Sequence, residues 1–510
     1  MAAVVQGFPA LAALAARPVA ARVGRGVAAR RRVHHTARVS EPPTSAWATV
    51  REALRGSPSD LTAIPVRRAV LLLAIPTVLE MSMESLLTIV DIFYVSKLGP
   101  DAVATVGLTE MMLSPVYALA MGLSAAATAM ISRRIGEKDD ERASGAAGQV
   151  VLLALLVAGV AGAVGAPLAR TLLGVMGASE GVVSGGSGYT AVMLGGSATI
   201  FLLFVLNAVL RSAGDAALAM RSLWIANILN MMVTPVLVFG VGPVPKMGVI
   251  GAAIAMTGSR AVGVVYQLSL LVRGRARVAI ARRHMRPDGR VLAELAKVAT
   301  PAALQVSIET VSWLGLVRIL ATFGSLALAG YTVAMRIITF ALLPSWGLAQ
   351  AAATLVGQNL GARSPDRARR SVLTVAAYNV AFLGPIGLAF VAAPAAFAGL
   401  FVADATATAF AADCLRIVSI GFVAFAFGMV AVQAFNGAGD TTTPMLINLA
   451  CFWLFKIPLA WLLSKKLGWG PRGVFVAIMA AYAVQSVVAG ALFRGGRWRR
   501  RVAGAFADAP

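Results

Sequence analysis

The chain has little of what most soluble enzymes rely on. Cysteine occurs twice, at Cys414 and Cys451, and histidine three times, at no spacing that joins the two residue types. A disulfide framework and a Cys/His metal motif are therefore not supported. Charged residues are scarce too, at 13% against 58% hydrophobic, and the mean hydropathy is +0.80. A length of 510 residues would suit two or three soluble domains, but this composition excludes them. Acids are the rarest charge: 22 Asp and Glu stand against 45 Lys and Arg, a formal net charge of +23. Such an excess can signal nucleic-acid binding. Here the arginines fall in short clusters between apolar runs, as positive-inside topology requires, and no nucleic-acid partner is expected. Lysine is rare among the basic residues, a bias attributed to a GC-rich genome.

What is present in abundance is apolar sequence in helix-length pieces. Twelve runs of roughly 20 residues or more, long enough to span a bilayer, lie near 69–96, 102–132, 146–168, 188–211, 217–240, 247–272, 293–320, 327–356, 371–394, 411–435, 443–464 and 473–494. The connections SRRIGEKDDERA, RSAGDAALAMR, RGRARVAIARRHMRPDGR and GARSPDRARR alternate with KLGPD, GVGPVPKMG and TFGSL, so both termini are cytoplasmic. Residues 1–65 are expected to lie outside the fold, as a disordered or targeting extension, and 497–510 as a cytoplasmic tail. The acid-free, Arg- and Ala-rich first forty residues have transit-peptide composition, with scarce serine. A disordered cytosolic tail or too early a start codon is the plainer explanation.

Sliding the chain against itself by 225 residues aligns Pro76 with Pro301, Ser82 with Ser307, Glu84 with Glu309, Gly99 with Gly324 and Gly122 with Gly347. The same shift aligns Gly136 with Gly361, Asp215 with Asp440 and Gly248 with Gly473. No gap is needed. Six spans separate the copies, so they enter the membrane with the same orientation. The expectation is an all-α integral membrane protein of twelve transmembrane helices in two parallel six-helix repeats, 66–280 and 281–496, around a central cleft. Arg273 to Arg290 is the interlobe linker.

The costliest stretch is IPTVLEMSMESLLTIVDIFYVSKLG, from Ile75 to Gly99, with three acids in an apolar span. At about 100° per residue, Glu84 lies roughly 40° and Asp91 roughly 20° around the helix from Glu80, so the three share one stripe. Each charge costs at least about 2.5 kcal/mol at the bilayer centre, which directs the stripe to a bundle interior or aqueous cavity. Asp91, Glu84, Glu309 and Glu80 are the candidate ion-coupling residues. The alternative is acids paired with Arg260, Arg318 or Arg336 only to hold helices together. Clustered carboxylates suit either protons or a hard cation such as Na+, and the sequence does not separate the two. Gln305, which matches Glu80 in the repeat, and the aromatics Trp313, Tyr331 and Phe340 near Glu309 are candidate substrate contacts, through cation–π attraction to a bulky organic cation. Core packing is the plainer explanation of the aromatics. The SAGD and GAGD turns do not match a nucleotide fingerprint. The matched prolines 76 and 301 are candidate bending points.

The segments VDIFYVSKLG, MISRRIGEKDDERA, VLRSAGD, VGQNLGARSPDRA and FNGAGDTTTPM resemble the multidrug and toxic compound extrusion transporters, particularly their DinF-like branch, over about Ile64 to Arg494. The resemblance implies two six-helix lobes, alternating access, and export of amphipathic, often cationic compounds against an inward proton or sodium flux. It makes Asp91 the counterpart of a first-helix acid implicated in coupling, and Glu309 that of a seventh-helix acid. Some sodium-coupled members also carry an acid on the tenth helix, whereas IVSIGFVAFAFGMVAVQAF here has none. The expected activity is a secondary antiporter, with export or flipping of a lipid-linked or amphipathic metabolite as the alternative. An enzyme is not expected, since no nucleophile–base pair or metal motif is visible; neither is a channel. The expected requirements are a coupling ion, H+ or Na+, with no cofactor, a small organic substrate and membrane lipid. The protein is expected to act as a monomer, in a bacterial inner membrane or, if the extension is a transit peptide, in a plastid or mitochondrial membrane.

Overall fold

In lipid every backbone N–H and C=O needs a partner within its own segment, and long apolar helices meet that requirement. The computed structural model describes residues 46–56, 59–401, 404–496 and 498. The segment before residue 46 and nearly all of the tail lie outside the described residues. A short helix, α1 (Ala46–Arg55), precedes twelve spans. The first six are α2 (Val66–Ser96), α3 (Pro100–Gly136), α4 (Asp140–Val175), α5 (Glu180–Ala213), α6 (Ala216–Phe239) and α7 (Gly248–Val272). The second six are α8 (Gly289–Ala321), α9 (Ser325–Gly361), α10 (Pro365–Ala392), α11 (Ala405–Ile420 with Phe422–Gly437, bent by 56°), α12 (Thr442–Lys466) and α13 (Pro471–Arg494). The lipid side is legible on α4, where Leu156, Val160 and Val164 form an exposed apolar stripe at i, i+4, i+8.

The repeat extends to backbone detail. The fourth span of each repeat breaks at matched glycines, Gly196 in α5 and Gly421 in α11. The left-handed turn residues also match: Lys138 (φ 61°) with Arg363 (φ 54°), and Gly99 (φ 104°) with Gly324 (φ 100°). The two hydrophobic cores do not follow the lobe boundaries set by sequence. Ala69, Val70, Leu72 and Leu73, in the first turns of α2, belong to the C-terminal core, while Leu295 and Val298, in the first turns of α8, belong to the N-terminal one. Each lobe thus lends the cytoplasmic end of its first helix to the other. Pro76 and Pro301 lie within uninterrupted helices just beyond these crossovers.

Residues 46–56 and 59–65, expected to lie outside the fold, are part of it. Glu52 accepts two hydrogen bonds from Arg68 Nη2 at 2.8 and 2.9 Å, and Arg221 donates to the carbonyls of Leu54 and Arg55, capping the open end of α1. Arg367, from the second repeat, donates to the carbonyls of Leu61 and Ile64. At the other terminus Trp498 is buried and stacks on Phe493 at 5.1 Å. Composition concealed these contacts because both segments sit among low-complexity neighbours.

The cytoplasmic ends of α3 and α9 meet through glycine. A β-carbon on Gly136 would stand 2.0 Å from the Gln358 carbonyl oxygen, and one on Gly361 would stand 2.1 Å from that of Arg133. These are repeat partners making reciprocal contacts, and they bring the two lobes together on the arginine-rich side. Outward of this seal, Glu110 on α3 and Arg336 on α9 are exposed within their spans, which a lipid-facing position would not permit. They face an aqueous cleft. Gly361→Val is expected to hold the two helix ends apart. A cysteine placed at Thr128 should then react faster with an impermeant maleimide from the cytoplasmic side, and unchanged labelling would show that the glycines do not set the seal.

Candidate functional site

Between the lobes lies a cavity of about 430 Å³. Glu80 and Glu84 reach it from α2, Gln305 and Glu309 from α8, Arg211 from α5 and Arg260 from α7. Of the residues expected from sequence, four are therefore brought together. Asp91 lies two turns beyond Glu84 on the same stripe and is not part of the cavity lining.

Each acid on α2 meets a polar residue from a neighbouring helix. Glu80, 1% exposed, accepts from Arg211 Nη1 at 2.7 Å and from Asn207 Nδ2 at 3.0 Å. Gln267 donates to the Asn207 side-chain oxygen and, at 2.7 Å, to Ser222. Glu84, half-buried, accepts from Asn227 Nδ2 at 3.0 Å and lies 3.8 Å from the Arg260 guanidinium, which also donates to the Tyr117 hydroxyl at 3.3 Å. Asp91 has the loosest partner, Asn230 Nδ2 at 3.4 Å, and Asn230 is itself held by Thr234 at 2.5 Å. The three acids are thus graded: Glu80 is locked in a buried ion pair, Glu84 is shared between an amide and a guanidinium, and Asp91 is nearly unengaged.

Two expectations change. The stripe is not a bare acidic surface, because Arg211 and Arg260 stand opposite two of its carboxylates. Arg260 had been considered as a partner for these acids, whereas Arg211 had not. A signal for the network was available on α6, where Asn227, Asn230 and Thr234 occur at i, i+3, i+7 in an apolar span and so share one face. The second change concerns the aromatics. Tyr331 is buried in the C-terminal core, stacked on Phe475 at 6.3 Å and 6.2 Å from the ring of Trp313. Trp313 is 41% exposed, and neither it nor Phe340 lines the cavity. Of these three, Tyr331 is a core packing residue. Trp346, on the cavity side of α9, lines it, as do Tyr117 and Phe204.

This is the architecture of a membrane transporter: two inverted-free, parallel repeats with polar, charged side chains converging on a cleft at mid-span. A family model described as MatE matches residues 76–236 and 301–462, one match in each repeat, and the chain belongs to that family. It is 24% identical over 437 residues to a probable multidrug resistance protein NorM of Thermotoga maritima, covering 86% of this chain and 94% of that one. A Pseudomonas putida protein of the same name is 28% identical over 444 residues, with 85% and 95% covered. An FAD transporter of Shewanella oneidensis is 27% identical over 405 residues, with 78% and 88% covered. Among solved structures, MATE in its straight conformation superposes with a TM-score of 0.80 at 26% identity, over 89% of this chain and 98% of that one. A Pyrococcus furiosus transporter of the MOP superfamily, whose binding pocket is described as having reverse polarity, gives the same score and coverage at 25% identity. The protein is an integral, multi-pass membrane transporter and not an enzyme.

The Glu80–Arg211 pair makes a stability prediction. Arg211→Leu leaves a buried carboxylate without its cation and is expected to cost about 3–5 kcal/mol. The double variant Glu80→Leu/Arg211→Leu should recover most of that loss. Melting temperatures in detergent check this, and an Arg211→Leu protein as stable as the wild type would contradict it.

Proposed function

We propose that the protein is a secondary active antiporter that exports amphipathic, cationic organic compounds in exchange for protons or Na+ by alternating access of its two lobes. The observation that carries this proposal is the cavity between the repeats: carboxylates enter it from both lobes, and it is sealed by glycine contacts on the arginine-rich side. In that arrangement a mobile cation and a cationic substrate compete for the same charges. Relatives named as multidrug resistance proteins support the substrate class.

In the cycle we propose, a proton or Na+ entering from outside neutralises Asp91 first, because it lies furthest outward on α2 and is the most weakly held of the three acids there. Glu84 and then Glu309 relay or share that charge. Neutralisation loosens a bound organic cation, and the lobes, now lighter in net charge at their interface, rock about the α2 and α8 crossovers. Cytosolic substrate displaces the ion in the opposite state. Glu80, tied to Arg211, acts mainly to hold α2 against α5. Gln305 and Trp346 offer an amide and a ring face to the substrate. One chain supplies every group the cycle uses.

Arg211 and Arg260 in the same lining favour a second reading, export of an amphipathic metabolite that carries an anionic group, and the FAD transporter relative is consistent with it. Liposomes containing the purified protein, given proton and sodium gradients separately, distinguish the two by uptake of tetraphenylphosphonium or of an organic anion. The antiporter account expects gradient-driven movement of the cation. Asp91→Asn and Glu309→Gln should each fold yet lose gradient-driven transport, and undiminished transport in both would sink the assignment.

A further inference from the structure

The repeat shows how differently the two lobes treat their shared carboxylate. In the N-terminal lobe Glu84 has Arg260 at 3.8 Å and Asn227 at 3.0 Å. At the matching positions of the C-terminal lobe, 225 residues on, Arg260 becomes Gln485, Asn227 becomes Phe452, Asn230 becomes Phe455 and Asp91 becomes Leu316. Gln485 is turned away to Asn448, to which it donates at 3.1 Å. Glu309 has therefore kept its place and lost the counterparts of every residue that engages Glu84.

A cation has instead appeared on another helix. Lys456 on α12, where the first repeat has Met231, is 5% exposed in an apolar span, with its ammonium 4.4 Å from the centre of the Phe452 ring. Its segment packs against the turn of α8 that carries Glu309. Unlike Glu80 with Arg211 and Glu84 with Arg260, Lys456 and Glu309 do not form an ion pair in this structure. Lys456 closes a π-helical segment, Leu449–Lys456, that is fastened to α8 by Ser312 donating to the Phe452 carbonyl at 3.0 Å and by Trp453 donating to the Ile308 carbonyl at 3.0 Å. Such widened turns recur at functional sites. Glu309 opens on the cavity, and Lys456 lies behind it, outside the lining.

Burial penalises an ammonium, and a neighbouring carboxylate offsets that penalty. Among the described residues Glu309 is the mid-span carboxylate on α8, and Asp413 on α11 is already bound by Arg472 at 2.7 Å. A lysine also differs from an arginine here: it is a compact charge on a flexible stem, whereas the Arg260 guanidinium is held in a planar fork. We propose that Lys456 is a tethered counter-cation for Glu309, making this carboxylate a monovalent-cation site from which any arriving cation must displace the lysine's field. This rests on Glu309 serving as the ion- or substrate-binding acid described above, and it adds that the lysine sets how tightly that acid binds. The N-terminal lobe then carries fixed charge pairs, and the C-terminal lobe carries an exchangeable one.

Equilibrium binding to purified protein in detergent tests this without requiring transport, so a chain that moves no organic cation would refute the antiporter account and leave this test readable. The probes are radiolabelled Na+ and tetraphenylphosphonium. Lys456→Met is expected to bind one of them at least about tenfold more tightly, about 1.4 kcal/mol, and the probe that gains identifies the cation the site takes. Lys456→Arg, which keeps the charge, should show no such gain, and Lys456→Met/Glu309→Gln should abolish it. Lys456→Met protein that is monodisperse yet binds both probes no more tightly than the wild type overturns the proposal. So does a gain that survives Glu309→Gln.

Discussion

A carboxylate in a bilayer-spanning helix must find a partner or an aqueous space, and much of this structure answers that demand. Glu80, Glu84 and Asp91 rise along one face of α2, and α5, α6 and α7 bring a guanidinium or an amide to each: Arg211 and Asn207, Arg260 and Asn227, then Asn230. The gradation from a locked pair to a nearly free acid is what an exchange site needs. A wholly satisfied network is rigid, and a wholly unsatisfied one is too costly to fold. The free end of the gradient, at Asp91, lies furthest toward the outside.

The second constraint is the repeat. Two parallel copies related by an axis along the membrane normal produce a cleft on that axis, and the reciprocal contacts of Gly136 with Gln358 and of Gly361 with Arg133 close it at one end. Because α2 and α8 each contribute their first turns to the opposite core, the helices that carry the acids are also those that join the lobes. Charge change on α2 or α8 and movement between lobes are thereby carried by the same elements. Divergence between the copies supplies function: Asp91 against Leu316, Arg260 against Gln485, Met231 against Lys456.

Most of the architecture was legible in the sequence. Spans follow from the cost of unpaired backbone in lipid, orientation from arginine placement, and the lobes from a shift of 225 without a gap. The acids were legible for the same reason, since a charge in an apolar run stands out. Their partners were harder to assign. Arg211 sits near a cytoplasmic loop and resembles a topology signal, and asparagines in spans carry no formal charge to mark them. The aromatics were harder to place because nearness in sequence to Glu309 does not fix which side of a helix faces the cavity: Tyr331 points into a core and Trp313 lies outside the lining. Residues 46–56 and 59–65 failed for a different reason: a short helix anchored by Glu52–Arg68 and by carbonyls has no periodicity of its own strong enough to read.

The central claim is that the two lobes close one side of the cavity as they open the other, under control of the carboxylates. Spin labels at Gly107 and Thr332, across the outer cleft, and a second pair at Lys138 and Arg363, across the sealed side, report both distances by pulsed electron resonance. The account predicts opposite changes: conditions that neutralise the acids shorten the outer distance and lengthen the cytoplasmic one, and Asp91→Asn imitates them. Distances that stay fixed, or that lengthen and shorten together, would contradict it.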